Sequence, residues 1–118
     1  MDNKFFLIVS LIFPISFFLI FFILRYVAFK KNNRFSGFGT KNSMKNQKNW
    51  KYANKTASKL SLYMGFISLI FTLIFIKVFS LDDLNLIILI LIQFTMFLLI
   101  NIITEYKLRK FMKVENKE

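Results

Sequence analysis

Residues 60–103 read LSLYMGFISLIFTLIFIKVFSLDDLNLIILILIQFTMFLLINII. Two apolar runs lie in this stretch, 60–80 and 84–103, separated by Leu81-Asp82-Asp83. The first carries Lys77 as its one charge, and the second carries none. Twenty residues rising about 1.5 Å each match a hydrocarbon core of roughly 30 Å, so each run predicts a transmembrane helix. The short connection predicts that the two form a tight helical hairpin.

Upstream, Phe5 to Leu24 forms a third run with no charge, interrupted by Ser10, Pro14 and Ser16. A soluble helix is rarely apolar all round for so long. The run exceeds the roughly 7–15 apolar residues of a cleaved signal peptide. Arg25, Lys30 and Lys31 follow it rather than a small-x-small cleavage pattern, so a retained anchor is expected. The predicted fold is all-α: an integral membrane three-helix bundle forming a single domain over 1–118, with spans at 5–24, 60–80 and 84–103.

Composition narrows the chemistry. Of 118 residues, 56% are hydrophobic and 17 are Phe, yet the net charge is +11. Such a chain must separate into oily and basic blocks. There is no Cys and no His, which excludes disulfides, thiolate or imidazole metal sites and the Ser-His-Asp triad. The 6 carboxylates never pair within an apolar run, leaving little material for acid–base catalysis. No enzyme activity, metal or cofactor is expected.

Charge orients the spans. Residues 25–59 hold Arg25, Lys30, Lys31, Arg34, Lys41, Lys45, Lys48, Lys51, Lys55 and Lys59, with no acid. The tail 104–118 adds Lys107, Arg109, Lys110, Lys113 and Lys117. The N-terminus has Asp2 and Lys4, and the hairpin turn has Asp82 and Asp83. Because cytoplasmic loops carry the Lys/Arg excess, the N-terminus is expected outside a bacterial plasma membrane, with loop and tail in the cytoplasm.

Several span residues stand out. Pro14 has no N–H, so the carbonyl of Ser10 loses its helical partner and a kink is expected. Ser61, Gly65, Ser68 and Thr72 recur at helical spacing, a small-residue face suited to close packing inside the bundle. Lys77 lies one turn from the outer end and can snorkel. Gln93 lies mid-span, with Thr95 and Asn101 after it. Gln93 and Asn101, at i and i+8, are expected to share a face and to hydrogen-bond between helices rather than line a transport path.

The loop is patterned. Trp50, Ala53, Ala57 and Leu60 recur at helical spacing, while Lys45, Lys48, Lys51, Lys55 and Lys59 form a basic stripe. An amphipathic juxtamembrane helix leading into the second span is expected over 46–59, lying on an anionic leaflet with Trp50 and Tyr52 at headgroup level. The aromatics favour lipid over nucleic acid as the partner of this charge. Gly37-Phe38-Gly39-Thr40-Lys41 lacks the order of a phosphate loop. In the tail, Glu105 and Arg109 form an i, i+4 pair. Leu108, Phe111 and Met112 give a short apolar face, expected against the membrane or the loop helix.

Residues 33–55 resemble the signature of the SdpI family, bacterial membrane proteins that protect against a secreted peptide toxin. Gly37, Phe38, Thr40, Lys41, Ser43, Met44, Asn46, Trp50, Ala53 and Asn54 match its pattern in order and spacing. Gly39 stands where the family usually has Arg, and Asn42 where it often has a second basic residue. The resemblance implies toxin immunity and, for some members, signalling by sequestering a cytoplasmic repressor. It also implies that Gly37, Phe38, Thr40, Lys41, Ser43, Met44, Asn46, Trp50 and Asn54 form a structural and functional loop. Two other functions fit the layout: a phage holin that forms membrane lesions, and an accessory subunit of a small transporter. The sequence leaves the oligomeric state and the identity of any toxin open.

Overall fold

The computed structural model describes residues 3–30 and 38–117, with side chains to Glu115. Three α-helices follow in chain order: α1 (Asn3–Ala28), α2 (Gln47–Val78) and α3 (Asp83–Lys117). There is no strand among the described residues. All three helices are long and apolar enough to cross a membrane. They pack into an elongated bundle with extents of 56 × 23 × 19 Å.

The helices outrun the predicted spans. With 32 and 35 residues, α2 and α3 are each about 50 Å long, roughly 20 Å more than the hydrocarbon core. The surplus lies at one end, where α2 begins and α3 finishes. The amphipathic helix expected over 46–59 is not a separate element, because one helix runs from Gln47 to Val78. The physical reason is that its inner face is taken up by protein. Trp50, Ala53, Asn54 and Ala57 are all buried, and Ala53 and Ala57 join a core with Phe17, Leu24, Phe38, Ile100 and Leu108. The tail likewise continues α3. Leu108 is buried, and Phe111 stacks on Tyr52 of α2 with ring centroids 4.3 Å apart. The tail's apolar face therefore meets the first turns of α2.

Both ends of α2 and the start of α3 are capped. Asn46 is the N-cap of α2, its Oδ1 accepting from the Asn49 N–H at 2.8 Å. The hairpin turn is tied by Asp82, which accepts from the Asn85 N–H at 2.9 Å and from Ser80 Oγ at 2.8 Å. These two bonds, the backbone one first, hold the Asp82 carboxyl below its ordinary range. A carbonyl in the last turn of α1 and one just beyond its end are met by the start of α2. Trp50 Nε1 donates to Val27 O at 3.1 Å, and Gln47 Nε2 donates to Lys30 O at 2.8 Å.

The core has two apolar ends and a polar middle. Phe6, Phe75, Leu86 and Leu89 fill the end near the hairpin turn, and the cluster around Phe38 fills the other. The small face of α2 is internal: Ser61, Gly65, Ser68 and Thr72 are all buried. A Cβ built on Gly65 would lie 3.1 Å from the ring of Phe18, which shows how closely α1 approaches α2 there.

Candidate functional site

At the polar level within the spans, three helices meet on one side chain. Gln93 is 0% exposed. Its Nε2 donates to Ser10 O of α1 at 2.9 Å and to Thr72 Oγ1 of α2 at 2.8 Å. Ser10 O is the carbonyl that Pro14 deprives of a helical donor, so Gln93 restores the missing bond from another helix. Asn101 does not join it and is exposed. Eight residues turn a helix about 80° beyond two full turns, so the expected shared face does not form. Thr95 bonds its own helix, donating to Leu91 O at 2.9 Å.

Beyond this level the bundle closes in a cap built from residues 38–54. Phe38 is its plug. The Phe38 N–H donates to Asn54 Oδ1 at 2.7 Å, and Ser43 Oγ donates to Phe38 O at 2.8 Å. Both backbone groups are thus satisfied while the ring sits in the core. Asn54 Nδ2 in turn donates to Trp50 O at 2.9 Å, and Trp50 reaches α1 through Val27. Thr40 organises the turn: its Oγ1 accepts from the Ser43 N–H at 3.2 Å, and its carbonyl accepts from the Met44 N–H at 3.1 Å.

The structure therefore brings together Phe38, Thr40, Ser43, Met44, Asn46, Trp50 and Asn54. Lys41 is exposed on the outer surface of the turn, as is Gly39. Gly37 lies outside the described residues.

Three residues hold the cap to its surroundings in ways the sequence did not indicate: Asn49, which no pattern marked, Asn42, noted only as a departure from the family pattern, and Glu105, noted only as the partner of Arg109. Asn42 Nδ2 donates to Glu105 Oε1 at 2.7 Å, tying the cap to α3. Asn49 Nδ2 donates to Asn42 O at 3.1 Å. Glu105 is half-buried, and Arg109 lies 3.8 Å from the same oxygen. The signal for these was a cluster of asparagines at 42, 46, 49 and 54 together with the first carboxylate after the third span.

A furrow runs along the α1–α3 side from the Gln93 level to the cap. Its first part is a cavity of about 280 Å³ between Ile12, Ser16 and Ile20 of α1 and Phe94 and Phe97 of α3. Ile20 and Phe97 also line the next hollow, of about 190 Å³, which reaches Phe38, Ser61 and Asn101. Asn101 opens in turn onto a wider surface recess with Glu105 and Arg109. The walls are mainly apolar throughout, and Asn101, Glu105 and Arg109 add polar side chains at the end nearest the cap. No group of carboxylates able to hold a metal occurs among the described residues.

The family model described as the SdpI/YfhL protein family matches residues 30–104. The chain belongs to this family. The match takes in the cap, the whole of α2 and α3 as far as Thr104, and so includes Trp50, Asn54 and Gln93. No curated protein and no solved structure matches the chain. With three membrane-length helices, it is a multi-pass membrane protein of the SdpI/YfhL family.

Proposed function

We propose that this SdpI-family protein confers immunity to a secreted antimicrobial peptide toxin by binding it at or in the membrane. The furrow between α1 and α3 carries the reading. It is apolar along the spans, and it ends at Asn101 and the cap, where amides and charges meet it. An amphipathic peptide entering the bilayer would find there an apolar wall for its side chains and polar partners for one end.

The charge distribution supports a bacterial plasma membrane with the N-terminus outside and the cap and tail in the cytoplasm. A cap on that side would also offer a basic surface to a cytoplasmic repressor, which is the signalling extension of the same reading. Burial of four of the polar span residues favours immunity over holin action. Ser10, Ser68, Thr72 and Gln93 all point inward, whereas a lesion-forming oligomer needs a polar face to line its hole.

The test is expression of the full chain in a toxin-sensitive strain. Survival should rise, and Ser16→Trp, which fills the furrow from its α1 side, should remove the protection while leaving membrane levels of the protein unchanged. Unchanged killing of cells carrying the wild-type chain would refute immunity. Growth arrest on induction without toxin would favour the holin.

A further inference from the structure

Where α1 ends beside the first turns of α2, two ammonium groups crowd one ring. Lys51 Nζ lies 5.0 Å and Lys55 Nζ 5.2 Å from the centroid of Phe29. Lysines at i and i+4 repel each other. The ring faces attract both cations, but no carboxylate among the described residues answers them. The two ion pairs among the described residues are Lys48–Glu115 and Arg109–Glu105, and neither involves this pair. On the flanks, Lys30 sits 4.7 Å from the Tyr26 ring and Lys59 sits 5.9 Å from the Tyr63 ring. The result is a patch of four cations on aromatic platforms with no anion of its own among the described residues.

We propose that Lys51 and Lys55, seated on Phe29, form a headgroup site for an anionic phospholipid. A phosphate between the two ammonium groups removes their repulsion and forms charge-assisted hydrogen bonds. The exposed rings decide for a lipid over a soluble phosphate ester. Phe29, Tyr26 and Tyr63 remain 60%, 64% and 51% exposed. In water that apolar area is unfavourable, whereas beside a glycerol backbone and the start of the acyl chains it is covered. The site needs the chain to lie in a membrane, but it is independent of toxin binding, so either reading can fail without the other.

The experiment uses the full chain in an uncharged detergent, titrated with phosphatidylglycerol or with phosphatidylcholine of the same acyl chains, with bound lipid counted by native mass spectrometry. Phosphatidylglycerol should be retained in preference. In Lys51→Gln/Lys55→Gln that preference should fall on the order of 30-fold, taking each lysine's contribution near an anionic surface at its usual size. Lys51→Arg/Lys55→Arg should keep it. Lys107→Gln/Lys113→Gln, which removes equal charge from the tail, should leave it unchanged. Equal retention of the two lipids by the wild type would overturn the site, as would an equal loss in both Gln double variants. Displacement of the lipid by equimolar glycerol phosphate would assign the patch to a free phosphate ester and overturn the lipid assignment.

Discussion

Gln93 is the residue on which the middle of the bundle turns. A glutamine amid lipid-length apolar helices is costly unless its amide is used, and here one nitrogen serves α1 and α2 together. The bond to Ser10 O gives it added weight, because Pro14 has removed the donor that carbonyl would otherwise have. Gln93→Leu should therefore lower stability by about 1–3 kcal/mol, read from unfolding in mixed micelles, since it strands a buried carbonyl as well as a hydroxyl. Adding Pro14→Ala should recover part of that loss, because an N–H at position 14 again reaches Ser10 O. A double-mutant cycle should give a coupling of about 1 kcal/mol, and additive losses would show that the two positions do not share the carbonyl. Each half of this link was legible in the sequence: Pro14 marked a carbonyl without a donor, and Gln93 marked an amide without a partner. Their pairing was not legible, because it depends on how α3 is rotated against α1. The same rotation sends Asn101 outward, against the expectation of a shared face.

At the scale of elements, α2 is the spine. Its small-residue face lets α1 approach, and the 3.1 Å that would separate a Cβ at Gly65 from the Phe18 ring measures that closeness. Gly65→Leu should destabilise the bundle by about 1–3 kcal/mol through overpacking against Phe18, whereas Gly65→Ala should cost far less, since the ring need move only a few tenths of an ångström. Comparable melting of both variants would mean that α1 and α2 do not meet there. Hydropathy alone marked the three helices, but not where α2 begins. The first turns of α2 carry a strong amphipathic pattern, and a sequence pattern does not distinguish an apolar face that rests on lipid from one that rests on Phe38, Leu24 and Leu108. The tail answers the same question from the other side, since Phe111 stacks on Tyr52. Asn42 and Glu105, 63 residues apart in the chain, meet only once both α2 and α3 extend past the membrane core.

For the molecule as a whole, the division of labour follows the solvent. Within the spans the outer faces are mostly apolar, and Ser10, Ser68, Thr72 and Gln93 are turned inward, while the Ser16 and Thr95 hydroxyls bond back to their own helices. Beyond them, a folded cap uses Phe38, Ser43, Trp50 and Asn54 to close the end of the bundle and to fasten it to the end of α1. The furrow depends on the splay of α1 from α3 below the Gln93 level, a property of the assembled helices that no single segment encodes. Membrane topology underlies every functional statement made of this chain, and the absence of native cysteine makes it directly measurable. Single cysteines placed by Lys48→Cys, Ser80→Cys and Lys113→Cys can be probed with a membrane-impermeant maleimide in intact cells and after lysis. Labelling in intact cells should occur at position 80 alone, with positions 48 and 113 reacting only once the membrane is opened. Labelling of position 48 in intact cells would contradict the account.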